Sequence, residues 1–292
     1  MKNFNFVNQY SNSLQSKIQI KKSTFVLMTL SFIILNFFIA SFLNVQWKIK
    51  DTKSNYFFTA DFKKDIPDSE KEKTEIDILK LDGVKKLRYI SKEEAFQKLQ
   101  YQLDIAIPRS ENPLSDSMII YFNNPSDIEG IQVNLENNQN IKEVFVDGTY
   151  IAHKDREVRF LKTISLGLIF VCIIPLVVMI YLVYCSAISI DYINNVGIIQ
   201  NDKTNRERSK KVNFLPLVAS SLIGTLIFFN IYIYFRNHLL VISNHYLILS
   251  LKEIMFMQIL ILIVIDLLML LKPKQIKVLK RGNSWKNYYL YL

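Results

Sequence analysis

Cysteine and glycine are both scarce in this chain. Only two cysteines, Cys172 and Cys185, occur in 292 residues, and both fall in one apolar run. No disulfide framework therefore holds the polar part together, and the two thiols read as ordinary apolar packing groups. The seven glycines include no G-x-x-x-x-G-K-[ST] loop that would cradle a phosphate, and neither H-E-x-x-H nor G-x-S-x-G occurs. His153, His238 and His245 stand apart from cysteines and from clustered carboxylates, so no metal site is expected. Glu93 and Glu94 are paired acids, but they open a helix, where negative charge suits the dipole. The chain is expected to be no enzyme and to hold no cofactor or metal.

What is abundant is apolar sequence in long runs. Four runs reach the roughly 20 residues needed to span a bilayer. They are Thr24–Val45, Ile164–Ile190, Val212–Phe235 and Ile254–Leu271. Buried helices of a soluble protein rarely run so far without a charge, so the fold class expected is a polytopic α-helical membrane protein with four transmembrane helices. The polar stretch Trp47–Lys162 lies between the first two and has the size of one small domain.

Charge gives the orientation. The leader, the loop between spans two and three and the tail carry fifteen Lys and Arg, against two, Arg236 and Lys252, in the loop between spans three and four. Cytoplasmic loops hold such an excess, so the leader, second loop and tail are expected inside, and 47–162 and 236–253 outside. The outer stretch has 19 Lys and Arg against 21 Asp and Glu. The net charge of +10 thus sits where anionic headgroups attract it, which favours the lipid surface over nucleic acid as partner. Trp47, Tyr181, Tyr184, Tyr232 and Tyr234 suit headgroup belts. The organisation expected is a leader over 1–23, spans at 24–46, 163–188, 212–235 and 254–271, an outer domain at 47–162, a cytoplasmic loop at 189–211, an outer loop at 236–253 and a basic tail at 272–292. The first apolar run is too long for a cleaved signal peptide and no small-x-small site follows it, so it is expected to stay as an anchor. The tail, with Trp285, Tyr288, Tyr289 and Tyr291, reads as an amphipathic surface segment. Intramembrane polar groups look few, and Asp266 is the one acid in the core of a span. Snorkelling, or pairing with a basic loop, competes there with a functional role.

Within 47–162 the patterning predicts strands at Asn55–Phe62, Val84–Ile90, Ser117–Phe122 and Ile141–Val146, and a helix over Asp68–Lys80. Ser91-x-x-Glu94 and Ser126-x-x-Glu129 read as capping boxes that start two further helices. Ala95, Phe96 and Leu99 lie on one apolar face, and Ile128, Ile131 and Leu135 on another. Leu103–Ser110 is apolar, irregular and broken by Pro108. The order β-α-β-α-insert-β-α-β implies an α+β extracytoplasmic domain with helices packed on a small sheet.

Three stretches of this domain carry a family resemblance. YISKEEAFQKLQ (Tyr89–Gln100), ENPLSDSMIIYFNNPSDIEGI (Glu111–Ile131) and IKEVFVDG resemble FtsX, the membrane subunit of the FtsEX cell-division complex. The order of one span, an outer domain and three spans resembles it too. The cytoplasmic loop INNVGIIQNDKTNRERSKKVNFLPL departs from the family pattern, with Val196–Gly197 and Phe214–Pro216 as its matches. The resemblance implies a mechanotransmitter without chemistry of its own, a homodimer in a 2:2 complex, in the bacterial cytoplasmic membrane at the division site with both termini inside. An FtsE-like cytoplasmic ATPase would bind the second loop through Val196, Gly197, Ile198 and Ile199. The outer domain would activate a peptidoglycan hydrolase, directly or through an adaptor, with Tyr101, Leu103, Ile105, Ile107 and Leu114 as the docking residues. Those five side chains are equally suited to the domain's own core. The competing class is the transmembrane subunit of an ABC-type exporter or lipoprotein-release system, whose outer domains are larger. A sensor would need a cytoplasmic signalling domain, and none is read here.

Overall fold

The computed structural model describes residues 2–64, 66–104, 108, 112–195, 201–242 and 249–271. They divide into two compact units, Met1–Asn44 with Ser165–Leu292, and Val45–Ile164.

The second unit is the α+β domain. Its elements after the end of the long helix α1 (Lys2–Ser54) are β1 (Phe57–Phe62), α2 (Asp68–Leu79), β2 (Val84–Ile90), α3 (Lys92–Leu103), β3 (Ser117–Phe122), α4 (Ile128–Glu136), β4 (Ile141–Phe145) and the start of α5 (Gly148–Gly167). The element order is the one the patterning implies. Pairing, which the sequence did not reveal, gives a four-stranded sheet in the order β2-β3-β1-β4. Every adjacent pair is antiparallel.

Strict alternation along β1 and β3 sends Phe58, Ala60, Phe62, Met118, Ile120 and Phe122 to one face, where all are at most 2% exposed. Side chains of opposite pleat face opposite ways, so a single core forms on that side. Ile78 of α2, Ile131 and Leu135 of α4, Ile49 of α1 and Ile151 and Val158 of α5 complete it. The other face carries Phe57, whose ring lies 5.9 Å from Tyr121 and 5.3 Å from Tyr150.

Local signals account for the helix starts, with one correction. Ser91 accepts a hydrogen bond from the Glu94 N–H at 3.2 Å, as expected for the cap of α3. The second box is not Ser126 with Glu129. Asp127 closes it, its carboxylate accepting from the Asn124 N–H at 3.2 Å. A 3₁₀ turn, Pro125–Asp127, intervenes before α4. Pro125 has no N–H to satisfy and sits well at a first helical position, which moves the cap back to Asn124. Gly83 precedes β2 at φ +90, and a Cβ there would lie 2.6 Å from that of Asp127. Only glycine meets both demands. Leu103, expected at the head of an irregular stretch, instead ends α3. Asp104 follows in the left-handed region at φ 51 and caps it, a conformation Asp tolerates better than most side chains.

Among the described residues, four helices are long and apolar enough to cross a membrane, Lys21–Ser54, Gly148–Asn195, Lys203–His238 and Leu251–Leu270. All four run beyond the apolar stretches expected, the last by a single turn at its start. No glycine or proline interrupts Lys2–Ser54, so α1 continues on both sides of its span. In the second, α5 passes through a π-helical turn, Leu168–Ile173, into α6 (Ile174–Asn195). Pro175 explains the wider turn, since it has no N–H for the carbonyl of Val171 and its ring crowds that group. The third, α7, spans Asp202–Ile242 with Pro216 inside it, and the fourth, α8, spans Leu251–Leu271. Phe32, Leu35 and Ile39 of α1, Ile180 and Tyr184 of α6, Leu217 of α7 and Leu262 of α8 share one buried cluster.

Candidate functional site

In the α+β domain the site is built on α3 and on residues 112–116. The anchor is Phe96, on the inner face of α3 and 2% exposed. The chain leaves at Asp104 and comes back to the start of the same helix. There Asn112 Nδ2 donates to the Lys92 carbonyl at 3.1 Å, and the Leu114 N–H donates to Asn112 Oδ1 at 2.9 Å.

Asp116 is the clasp. Its Oδ2 accepts from Lys71 Nζ at 2.6 Å and its Oδ1 from the Lys92 N–H at 2.8 Å. Both acidic and basic side chains are 14% exposed. Burial alone pushes the Asp116 carboxyl up. Hydrogen bonds from Lys71, the Lys92 N–H and Tyr89 outweigh that and hold it below the usual carboxylate range. Hydrogen bonds to Asp116 and then to Asp68, at 3.0 Å, raise the Lys71 ammonium. Tyr89 is pushed up to about 12, by burial and then by its bond to Asp116. The clasp thus ties α2, β2, α3 and β3 at one point. Beside it a cavity of about 480 Å³ is lined by Lys63, Lys64, Lys92, Phe96 and Leu114 among others.

The expected docking residues divide. Tyr101 is 90% exposed and Leu103 58% exposed, on the outward part of α3. Leu114 is half-buried beside the cavity. Ile105 and Ile107 lie outside the described residues, as do Arg109 and Glu111. For Tyr101 and Leu103 the core alternative is therefore excluded, because the core of this domain forms under the sheet. Sequence reasoning missed Lys71 and Asp116, which are 45 residues apart and carry no spacing signal.

In the first unit Val196, Gly197, Ile198 and Ile199 also lie outside the described residues, and side-chain contacts hold the flanks of that loop. Asn201 Oδ1 accepts from the Lys203 N–H at 3.0 Å and caps α7. Asn205 Nδ2 donates to the Tyr192 carbonyl at 3.1 Å, and Arg206 lies over the Tyr192 ring at 5.8 Å. Lys21 pairs with Asp191 at 3.4 Å. The end of α6, the start of α7 and α1 are fastened together where the loop begins and ends. No cluster of His, Cys, Asp and Glu among the described residues has the form of a metal site.

Residues 55–154 match the family model described as the FtsX extracellular domain. The chain contains an FtsX extracellular domain. Solved structures similar to it include Extracellular Domain 1 of FtsX from Streptococcus pneumoniae in complex with undecyl-maltoside. That match has 22% identity, covers 32% of this chain and 94% of the other, and has a TM-score of 0.28. The solution structure of the large extracellular loop of FtsX from the same species has 21% identity, covers 31% and 97%, and also has a TM-score of 0.28. No curated protein matches the chain. The matched FtsX domain begins one residue after α1 and ends within α5, so it is flanked by two of the four long apolar helices.

Proposed function

We propose that this protein is the non-catalytic membrane subunit of an FtsEX-like cell-division complex. The four apolar helices span the bacterial cytoplasmic membrane with both termini inside, and the FtsX domain stands outside. A cytoplasmic ATPase engages the 189–211 loop in a 2:2 assembly. Its nucleotide cycle biases the helices between two states, and the outer domain reports the change to a peptidoglycan hydrolase or its adaptor. The observation that carries this reading is the FtsX domain match over 55–154, set between apolar helices. The pinned flanks of the loop support it, because a push on a loop whose two ends are tied to three helices is passed into all of them.

Orientation is tested with single cysteines in a Cys172→Ala, Cys185→Ala background. Asn134→Cys is expected to react with a membrane-impermeant thiol reagent in cells whose outer layers are permeable to it. Arg208→Cys is expected to react only after lysis. Labelling of Arg208→Cys in intact cells reverses the topology and sinks the proposal.

Docking is tested at Tyr101 and Leu103. Exposed apolar groups near charge mark protein contacts, and surface substitutions usually change stability by no more than about 0.5 kcal/mol. Tyr101→Asp with Leu103→Asp is expected to leave the unfolding midpoint nearly unchanged. Capture of the hydrolase or adaptor should be lost, and cells should chain or filament. A stable double variant that still binds and divides normally removes α3 from the partner surface.

A further inference from the structure

Inside the helical unit, polar side chains stand where leucine would serve equally well for burial. Asn36 and Gln258 are 0% exposed and Thr225 is 7% exposed. Asn36 Nδ2 donates to Thr225 Oγ1 at 3.2 Å and to the Phe32 carbonyl at 2.8 Å. Gln258 Nε2 donates to the Asn36 carbonyl at 2.6 Å. One rung of hydrogen bonds thus links α7 to α1 and α8 to α1.

A second rung follows two turns on. Asn44 Nδ2 donates to the Tyr232 hydroxyl at 3.4 Å, and the Leu249 N–H donates to Asn44 Oδ1 at 3.2 Å. From Asn36 to Asn44 is eight residues, about 12 Å of helix. The α1–α7 bonds of the two rungs are offset by 189 and 188 residues, so both belong to one register.

We propose that these rungs are a register lock that makes α1, α7 and α8 a single body within the membrane. The proposal rests on the reading that these helices span a bilayer, and it deepens it. Lipid tails are as apolar as leucine, so an apolar seam in hydrocarbon has little to fix how far one helix has slid along another. Buried amides do fix it. A slip of one turn, about 5.4 Å, breaks the Asn36–Thr225 bond and takes the Gln258 donor off the Asn36 carbonyl, leaving Gln258 bare where no water replaces the bond. Gly224 makes the rungs reachable. A Cβ there would lie 2.9 Å from the Phe32 Cβ and 3.0 Å from the Thr29 carbonyl, so the two backbones come closer than a larger residue permits. Force applied to any one of the three helices then moves all three, and the rest of the protein responds to a body rather than to separate spans.

The test uses the full-length protein in native membrane vesicles, with Cys172→Ala and Cys185→Ala. Ala40→Cys with Phe228→Cys, two positions that share one buried cluster, reports the observed register. Phe32→Cys with Phe228→Cys, one turn along α7 from the Gly224 that Phe32 meets, reports a slipped one. Under mild oxidation the first pair is expected to close and the second to stay largely open. Asn36→Leu with Gln258→Leu should raise closure of the slipped pair about fivefold or more relative to the native pair, the factor expected from losing one interhelical hydrogen bond in a membrane. Thr225→Val, of the same shape without the hydroxyl, should act in the same direction and serves if the leucine variant fails to insert. A slipped pair that closes as fast with the rungs intact, or that stays open in Thr225→Val, overturns the lock and assigns the register to apolar packing. Such a failure with ATPase co-purification intact leaves the transmission reading standing. Loss of ATPase binding with the register unchanged would count against that reading alone.

Discussion

Replacing Phe122 by alanine is expected to lower the stability of the α+β domain by about 3–5 kcal/mol, the cost of deleting a buried aromatic ring and leaving its cavity. Phe122 is the last residue of β3 and is fully buried. Its ring stacks on Tyr56 at 5.6 Å and 13°, and meets Phe58 at 5.8 Å. Its N–H donates to the Tyr56 carbonyl at 3.2 Å, so the backbone is held and cannot fold inward to fill the gap. A domain of this size is stable by about 5–15 kcal/mol, so the loss is a large share. Chemical denaturation of a 47–162 fragment, which contains nearly all of this core, measures it. Phe122→Leu refills most of the volume and should cost far less. A change below about 1 kcal/mol for the alanine variant would place the ring outside the cooperative core.

Asp116→Ala is expected to cost about 2–4 kcal/mol at neutral pH. Breaking a buried pair from one side leaves the other charge without its partner, here Lys71. The figure is held at the lower end because Asp68 remains on Lys71 at 3.0 Å, although that carboxylate is 97% exposed. Two further donors, the Lys92 N–H and Tyr89, lose their acceptor at the same time. The loss should depend on pH. The folded-state pKa of Asp116 is depressed, so its contribution is fully present above the unfolded value of about 3.9 and is lost as pH falls through the lower folded value. The difference between wild type and Asp116→Ala should therefore be largest near pH 7 and shrink below about pH 4. Lys71 has a raised folded-state pKa, so its own contribution persists below the usual lysine value and is lost only at high alkalinity. Urea unfolding of both proteins at several pH values reads this directly. A difference that stays constant from pH 7 to pH 3 would mean that the carboxylate charge adds nothing.

Local rules made much of the fold legible. The β3 limits follow from strict alternation in SMIIYF, whereas VKKLRYI alternates imperfectly and its pairing shifts between Val84 and Lys86; the start of α3 follows from Ser91. Each depends on neighbours within a few residues, and the relevant energies are local too. Where two local signals compete, the cap lies two residues before the serine, at Asn124, because Pro125 outranks a serine cap. The exposure of Tyr101 was not legible at all. A tyrosine on an amphipathic helix suits core and surface alike until the packing of Phe96 shows which side of α3 is turned in.

What the sequence determined by itself about this protein is its division into apolar helices and one polar α+β domain, the charge asymmetry, the element types and the resemblance to FtsX. These rest on composition, period and short-range hydrogen bonding, which a linear chain already contains. Tertiary structure alone decided the strand order β2-β3-β1-β4, the clasp of Lys71 on Asp116, and the rungs that Asn36 forms with Thr225 and Gln258. The partners in these contacts lie tens to hundreds of residues apart. A lysine, an asparagine or a glutamine is polar everywhere in the sequence, and only burial beside one particular partner turns it into a clasp or a lock. In water those groups would bond equally well to solvent; shielded from it, they hold one arrangement because any other leaves a donor or a charge unsatisfied.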